Sequence, residues 1–133
     1  GITKNIHFLG KLSNHEINSW LNSTDIFAMT STHTNDGDFE GFGISVIEAA
    51  LCGAPAVVTN NNNGVIESIE EGYSGISINE GDFDMLSEKI ISLLKDKKTL
   101  NKLGENALNR AKQKFTWAIK AEEIHLKIKE VLK

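Results

Sequence analysis

The stretch of residues 40–49 contains a turn with two glycines, directly before an apolar segment that predicts a helix. Gly41 and Gly43 let the backbone take positive φ and let a ligand approach main-chain atoms closely. The first amides of the predicted helix have no helical acceptor and lie at the positive end of its dipole. These are the amides of Gly43, Ile44 and Ser45. They predict a binding site for a phosphate group.

Two glutamates, Glu40 and Glu48, lie eight positions apart on either side of this turn. Glu48 follows Gly43 by about five residues, which is roughly 7.5 Å along a helix axis. Its carboxylate is too far from the phosphate to bind it, but it is well placed to accept two hydroxyl groups of a sugar. Glu40 precedes the turn, so we expect it to accept hydroxyls from a second sugar. The stretch therefore predicts a nucleotide-sugar site.

The elements around this stretch alternate between strand and helix. Short apolar runs predict four strands, at residues 6–9, 25–30, 56–59 and 75–78. Helical spacing of apolar residues predicts helices after Ser13, at 44–52, 64–70, after Asp82, and at about 98–115 and 116–132. This order is typical of an α/β fold with a doubly wound parallel sheet. The glycine turn follows the carboxyl end of the strand at 25–30, where such sheets bind ligands.

Several predicted helix ends carry local signals. Ser13 and Glu16 have the spacing of a capping box, and Asp82 is a candidate N-cap. Gly53 is expected to end the helix that begins at residue 44. That helix is apolar nearly all round, so we expect it to be buried, with Cys52 as a small core residue at its end. The strand at 25–30 is a continuous apolar run and is expected to be covered on both faces.

Composition excludes several classes of protein. The 133 residues suit one domain, and no apolar run is long enough to span a membrane. No signal peptide opens the sequence, so we expect a cytoplasmic location. The single cysteine excludes an internal disulfide. The net charge of −4, with Arg110 as the only arginine, argues against a nucleic-acid partner.

The sequence predicts no metal site. Residues 35–38 look superficially like part of a calcium loop, but the glutamate required downstream is missing. None of the four histidines has a metal-type spacing with another ligand. His33 lies on the loop before the glycine turn. Its side chain either contacts a ligand or is solvated, and the sequence leaves both alternatives open.

Beyond the glycine turn, several segments in order resemble those of the retaining glycosyltransferases of group 1 (family 4), which have the GT-B fold. Glu40 and Glu48 match the family's Glu-x7-Glu signature. The other similar segments lie at residues 5–10, 24–31, 53–58, 63–67 and 72–75. The resemblance therefore covers almost the whole chain.

The resemblance implies a hexosyltransferase of polysaccharide biosynthesis that moves a sugar from a nucleotide diphosphate sugar to an acceptor hydroxyl with retention of configuration. It implies no metal and no cofactor, and a cytoplasmic enzyme or one peripheral at the inner face of a membrane. It assigns a catalytic role to Glu40. The donor-binding residues that it implies are Gly41, Phe42, Gly43, Ile44, Ser45, Glu48, Asn63 and Gly64. Asn63 and Gly64 are predicted to form a second turn. In the family, the backbone amides of this turn line the donor-sugar pocket.

The resemblance also predicts that residues 1–133 are a partial nucleotide-sugar-binding domain. A GT-B C-terminal domain has six strands in the order 3-2-1-4-5-6, and this chain resembles the part with strands 3 to 6. The first two strand–helix units and the whole acceptor-binding N-terminal domain would then be missing. The family's basic residues for the diphosphate lie in those units, so we expect the isolated chain to be inactive. An exposed sheet edge is expected to favour self-association.

Two other interpretations remain to be compared with this one. The chain fits a non-enzymatic α/β module that binds a nucleotide or a protein partner through the glycine turn. A Rossmann oxidoreductase is a poorer match, because Val46 stands where the third glycine of its fingerprint should be.

Overall fold

The computed structural model describes residues 1–33, 41–60 and 64–132. Within these ranges the chain forms five α-helices, α1 (Asn14–Asn22), α2 (Ile44–Leu51), α3 (Phe83–Lys95), α4 (Lys97–Lys114) and α5 (Trp117–Val131). The same ranges contain three strands, β1 (Phe27–Met29), β2 (Ala56–Asn60) and β3 (Gly75–Asn79), and two 3₁₀ helices, Ile2–Asn5 and Gly64–Ser68. Strands and helices alternate from α1 to α3, as predicted.

The three strands form one parallel sheet in the order β1-β2-β3. Phe27 pairs with Ala56 in the register of β1 and β2, and Ala56 pairs with Gly75 in that of β2 and β3. The prediction of a parallel sheet is confirmed, and the strands predicted at 25–30 and 56–59 are neighbours in it. The fold is the Rossmann-like α/β type, and the sheet has fewer strands than expected.

The predicted strand at 6–9 is wrong, so the described part of the chain has three strands instead of about four. Residues 6–10 are irregular and follow the 3₁₀ helix Ile2–Asn5, and the side chain of Phe8 is 96% exposed. A strand satisfies its backbone groups by pairing with a neighbour. No described strand lies beside residues 6–9. An apolar pattern without a pairing partner does not produce a strand.

The central strand β2 is the buried one, rather than β1. Val57 and Val58 of β2 are fully buried, because neighbouring strands flank β2 and helices cover both of its faces. In β1, by contrast, Ala28 is exposed, and Phe27 and Met29 are only half-buried. The prediction of a strand at 25–30 covered on both faces is therefore wrong. Among the described strands β1 has a neighbour on one side only.

Alternate side chains of β2 enter two separate hydrophobic clusters. Val58 packs with Val46 of α2 and with Val65 of the second 3₁₀ helix. Val57 packs with the other cluster, which contains Leu93 of α3 and Leu103 of α4. Successive residues of a strand point to opposite faces, so the clusters lie on opposite sides of the sheet. This arrangement confirms the doubly wound architecture.

Helix α2 buries one face and exposes the other, which corrects the prediction of a helix buried all round. Its buried residues are Val46, Ile47, Ala49 and Ala50. Ile44, in contrast, is 70% exposed, and Leu51 is also exposed. Cys52 at its end is half-buried instead of a core residue, and its sulfur lies 3.4 Å from Asn18 Oδ1 and 3.5 Å from Asn22 Nδ2.

Helix α4 packs closely against the end of α2. A β-carbon at Gly104 would overlap the carbonyl oxygen of Gly53, so the two backbones touch at this point. Ala107 and Ala111 of α4 pack against Ile47 and Ala50 of α2. Small side chains on both helices permit this approach. Helix α4 therefore supports α2 from the side opposite to its exposed face.

The local signals at the helix ends are confirmed. Ser13 and Glu16 form the full capping box at the start of α1. Hydrogen bonds from Ser13 to the Glu16 carboxylate hold the pKa of Glu16 below its usual value. Asp82 caps α3 by accepting from the amide of Met85 at 2.9 Å, and Gly53 has the left-handed φ of +80°.

Helix α5 contains no buried residue and packs mainly on α4 among the described elements. Its exposed apolar side chains include Trp117, Ile124 and Val131. Among the described helices, none combines the length and apolar character that a membrane span requires.

Candidate functional site

The first glycine turn lies between the carboxyl end of β1 and the start of α2. Gly43 is the N-cap of α2 and has a left-handed φ of +77°. A β-carbon there would lie 3.3 Å from Met29 Sδ and from Val46 Cγ2, so Gly43 is closely enclosed. Glycine suits this position because a residue with a side chain rarely adopts such a φ. The end of β1 therefore holds the turn in place through Met29.

The start of α2 has backbone amides without a helical acceptor. Its first helical hydrogen bond runs from the amide of Val46 to the carbonyl oxygen of Gly43 at 2.9 Å. The amides of Ile44 and Ser45 precede that bond, so the helix provides no acceptor for them. The Ile44 side chain beside them is exposed. A phosphate oxygen at this position would accept from the amides at the positive end of the helix dipole.

The hydroxyl of Ser45 points toward the end of β1. Ser45 Oγ lies 3.7 Å from Met29 Sδ, and the residue is half-buried. Sulfur is a weak acceptor. The Ser45 hydroxyl therefore helps to attach the first turn of α2 to β1, and its amide is the group available beside the helix start.

Gly64, the described residue of the second predicted turn, contacts the first turn. Gly64 begins the second 3₁₀ helix, and a β-carbon at this residue would overlap the carbonyl oxygen of Gly41. The same hypothetical atom would lie 3.6 Å from Phe42 Cα. Two backbone segments that are separated by more than twenty residues in sequence thus meet without side chains between them. The structure thus brings Gly64, from the second predicted turn, against the first turn.

Phe42, between the two glycines of the first turn, is half-buried against an aromatic partner. Its ring packs edge to face on Phe115, with ring centroids 5.6 Å apart and an interplanar angle of 62°. This geometry is favourable for aromatic pairs. Phe42 therefore anchors the first glycine turn to the end of α4.

Glu48 lies on the exposed face of α2, between two clefts. A cleft of about 660 Å³ lies between α2 and the start of α5, and is lined by Phe42, Ile44, Ile47, Glu48, Leu51, Phe115, Thr116, Trp117 and Lys120. A second cleft of about 260 Å³ separates α1 from α2 and is lined by Asn14, Ile17, Asn18, Leu21, Glu48, Leu51 and Cys52. The Glu48 carboxylate can accept hydrogen bonds from a ligand in either cleft.

The thiol of Cys52 lies in the smaller cleft. Burial raises the pKa of Cys52, and the negative charge of Glu48 raises it further. Both effects disfavour the thiolate, so Cys52 is a poor nucleophile at neutral pH. The cleft offers neutral polar groups and apolar surface beside the carboxylate.

The chain leading toward the first turn is held at the carboxyl edge of the sheet. The amide of His33 donates to Glu80 Oε1 at 2.7 Å, and its ring Nδ1 lies 2.8 Å from Glu80 Oε2. Thr59, buried in β2, donates its hydroxyl to the carbonyl oxygen of Ser31 at 2.7 Å. His33, one of the open candidates for ligand contact, thus has a structural partner just beyond β3.

Two of the predicted site residues, Glu40 and Asn63, lie outside the described residues. The others fall into one region: Gly41, Phe42, Gly43, Ile44, Ser45 and Gly64 meet at the two turns, and Glu48 follows on α2. The roles assigned to all of these residues stay predictions. Among residues 1–33, 41–60 and 64–132, no group of three or more His, Cys, Asp or Glu side chains is arranged to hold a metal ion.

The sequence reasoning missed a support for the site on α4. Arg110 donates to the carbonyl oxygens of Glu67 and Ser68 at the end of the second 3₁₀ helix, both at 2.9 Å. The only sequence signal was that Arg110 is the single arginine of the chain. Its partners are carbonyl groups some forty residues earlier, which no local pattern reveals.

Comparisons with known proteins agree on the type of protein that this chain resembles. Residues 1–110 match the family described as "Glycosyl transferases group 1". A GDP-mannose-dependent mannosyltransferase of Corynebacterium glutamicum is 32% identical over 124 residues, which cover 92% of this chain and 32% of that protein. The capsular polysaccharide biosynthesis glycosyltransferase CapM of Staphylococcus aureus is 34% identical over 106 residues, 80% of this chain and 26% of CapM.

Solved structures with the same fold include a nucleotide complex. The crystal structure of Anabaena Alr3699/HepE in complex with UDP matches 97% of this chain and 33% of its own, with a TM-score of 0.84 and 25% identity. A second structure of that protein, in complex with UDP-glucose, has a TM-score of 0.80 at the same coverage of this chain. This chain spans between a quarter and a third of the length of these curated relatives.

Proposed function

The chain belongs to the glycosyl transferases of group 1, and we propose that its two glycine turns form part of the donor site for a nucleotide diphosphate sugar. The observation that carries this proposal is the backbone contact between Gly64 and Gly41 beside the start of α2. That contact concentrates main-chain groups around one point at the carboxyl edge of a parallel sheet, where ligands bind in folds of this type. The structures of HepE with UDP and UDP-glucose support the choice of ligand.

The diphosphate is the group that the start of α2 serves. Negative charge grows on the departing nucleoside diphosphate as the bond to the sugar breaks. The amides of Ile44 and Ser45 are oriented before the reaction, so they stabilise that charge with little reorganisation. We assign no metal or cofactor to this step, and basic side chains outside this chain would complete the neutralisation.

The two glutamates have different partners in this proposal. Glu48, about one turn into α2, accepts hydroxyls of the nucleotide ribose. Glu40 accepts hydroxyls of the transferred sugar and is the catalytic residue of the pair. Asn63 and Gly64 contribute backbone groups to the sugar pocket. The whole enzyme would then transfer a hexose to an acceptor hydroxyl with retention of configuration, in the assembly of a polysaccharide.

The isolated chain is proposed to bind the donor weakly and to be inactive. The acceptor site and the basic residues for the diphosphate would come from a further part of the enzyme. Losing one preorganised donor of this kind costs on the order of 3 kcal/mol of transition-state stabilisation. For the whole enzyme we propose a cytoplasmic location, in solution or peripheral at the inner face of a membrane, which fractionation of cells that produce the tagged enzyme would test.

Ligand-observed NMR on this chain tests the donor site directly. We expect saturation transfer to UDP, GDP or a corresponding nucleotide sugar, and none to NAD. Binding of NAD alone would favour an oxidoreductase. Binding of none of these compounds would favour a module for a protein partner and would contradict the proposal.

Substitution of each glutamate separates the two roles. Glu48→Gln keeps the size of the side chain but replaces an acceptor-only group by a mixed one. It is expected to weaken the binding of free UDP or GDP by roughly 1.5–3 kcal/mol, which is the contribution of a hydrogen bond to a charged group. Glu40→Gln is the matched control. It is expected to leave the affinity for the free nucleotide unchanged and to lower the turnover of the whole enzyme. Equal loss of nucleotide affinity in both variants would contradict the assignment of roles.

A further inference from the structure

Arg110 projects from α4 toward the end of the second 3₁₀ helix. Its Nη1 donates to the carbonyl oxygen of Ser68 and its Nη2 to that of Glu67, each at 2.9 Å. The carbonyl groups at the end of a helix have no helical donor, so the guanidinium satisfies two of them at once. Arg110 therefore fixes the position of the short helix that begins with Gly64.

The same side chain also reaches the first glycine turn through an aromatic pair. The guanidinium carbon of Arg110 lies 4.9 Å from the ring centroid of Phe115. That distance is within the range of a cation–π interaction. Phe115 in turn packs edge to face on Phe42, which lies between Gly41 and Gly43. One residue of α4 is thus linked to both turns by contacts of two different kinds.

We propose that Arg110 is a positioning residue that holds the Gly64 turn and the Gly41–Gly43 turn against each other. The inference rests on the proposed function only in that these turns bind the nucleotide. Neither contact of Arg110 involves a ligand, so its effect on binding is exerted through the geometry of the two turns. A donor site whose two halves separate would lose the alignment of its amides.

The surroundings of Arg110 suit a fixed support rather than a ligand contact. The side chain is largely buried, and Nε lies 3.8 Å from Glu70 Oε2, beyond hydrogen-bond distance. Burial lowers the pKa of Arg110 and the Glu70 carboxylate raises it, but an arginine stays protonated in proteins. A charged group held in this way is rigid. Lysine could not donate to both carbonyl groups in the same way, because its ammonium group is a single point charge without the two parallel donors of a guanidinium.

The chain offers a matched control at Lys120. Lys120 Nζ lies 5.5 Å from the ring centroid of the same Phe115, but its hydrogen-bond partner is Glu123 on its own helix. Lys120→Met therefore removes a cation from that ring without touching the second 3₁₀ helix. Arg110→Met removes a cation from the ring together with the two bonds to the carbonyl groups.

Amide NMR spectra of the two variants of this chain, with and without UDP, test the inference. We expect Arg110→Met to shift the amides of both residues 41–45 and residues 64–68, while the amides of β2 keep their positions. We also expect it to weaken UDP binding about threefold to tenfold, as for a contact outside the ligand that couples to the site. Lys120→Met is expected to leave the amides of residues 64–68 unchanged. Because Lys120 lines the larger cleft, the reference for UDP affinity is the unmodified chain.

Two results would have different meanings. If Arg110→Met shifts only the amides at residues 66–69, and its UDP affinity equals that of the unmodified chain, Arg110 does not position the first turn and the inference is wrong. If the native chain binds no UDP but Arg110→Met still shifts residues 41–45, the inference stands and the proposed function loses its support. Should Arg110→Met give a spectrum without dispersion, Arg110→Lys decides by the same amides, with smaller shifts expected at both turns.

Discussion

The contact between Gly64 and Gly41 shows how one residue type determines the shape of the site. At Gly64 a side chain of any size would overlap a backbone oxygen of the other turn. Gly41, on the opposite side of the same contact, has open space where its β-carbon would lie. Contact with the other turn therefore excludes a side chain at Gly64 but not at Gly41. Gly64 permits close approach of two backbones, and Gly43 adopts a left-handed conformation.

Gly64→Ala tests this difference. Because the new methyl group overlaps the carbonyl oxygen of Gly41, we expect a loss of unfolding free energy of about 1–3 kcal/mol, as in other overpacked sites. Gly41→Ala is the control and is expected to change stability by less. Urea unfolding followed by circular dichroism measures both. Equal midpoints for the two variants would show that the turns can separate without cost.

Cys52 reports on the charge of Glu48. Removing that charge by Glu48→Gln is expected to lower the pKa of the thiol part of the way, since burial is the larger cause of its increase and remains. The thiolate fraction at pH 8 then rises, and alkylation by iodoacetamide becomes faster. Rates measured from pH 7 to 10 give the pKa. Glu88→Gln on α3 is the control. If Cys52 is alkylated at the same rate in both variants, the charge of Glu48 does not influence the pKa of the thiol.

At the scale of elements, α2 is positioned by three neighbours. Val46 packs into the cluster beneath β2, Met29 of β1 touches the turn at its start, and α4 supports its side through Ala107 and Ala111. These contacts leave the face with Ile44 and Glu48 exposed between two clefts. The presentation of the helix start therefore depends on how closely α4 approaches.

Gly104→Ala tests the approach of α4. Helix propensity alone predicts that alanine stabilises a helix interior by about 1 kcal/mol relative to glycine. Here the methyl group would overlap the carbonyl oxygen of Gly53, so we expect a net destabilisation of about 1–2 kcal/mol. Thermal unfolding gives the sign directly. An increase in Tm would mean that α4 is not held against the end of α2.

On the scale of the whole molecule, apolar surface is left uncovered at two places. β1 has a neighbouring strand on one side only among the described strands, and α5 carries exposed apolar side chains along its length. Trp117 at the start of α5 is 92% exposed. Exposed strand edges and apolar patches favour association.

Light scattering as a function of concentration tests this expectation. We expect the mass of the chain to rise above that of a monomer at high micromolar concentration, because association buries the apolar side chains of α5. Ile124→Lys on α5 is expected to shift the rise to higher concentration. Ile91→Lys on α3 adds the same charge elsewhere and serves as control. A constant monomer mass for the unmodified chain would contradict the prediction.

Local chemistry was sufficient to predict most helices and the first glycine turn. Ser13 with Glu16, and Asp82, act on amides within three residues, so their effect can be read from neighbouring positions. The parallel pairing of β2 with β1 followed from apolar runs and from the alternation of strand and helix, whereas the burial of β2 rather than β1 did not. In each case the interacting groups are close in sequence, or the pattern repeats along one element.

Long-range packing decided the remainder. Residues 6–9 have the composition of a strand, but strand formation requires a paired neighbour, which the described chain does not provide. The contact of Gly64 with Gly41 and the two bonds of Arg110 join segments more than twenty residues apart. Contacts of that kind depend on where the sheet and α4 bring the backbone, and no spacing within one segment encodes them.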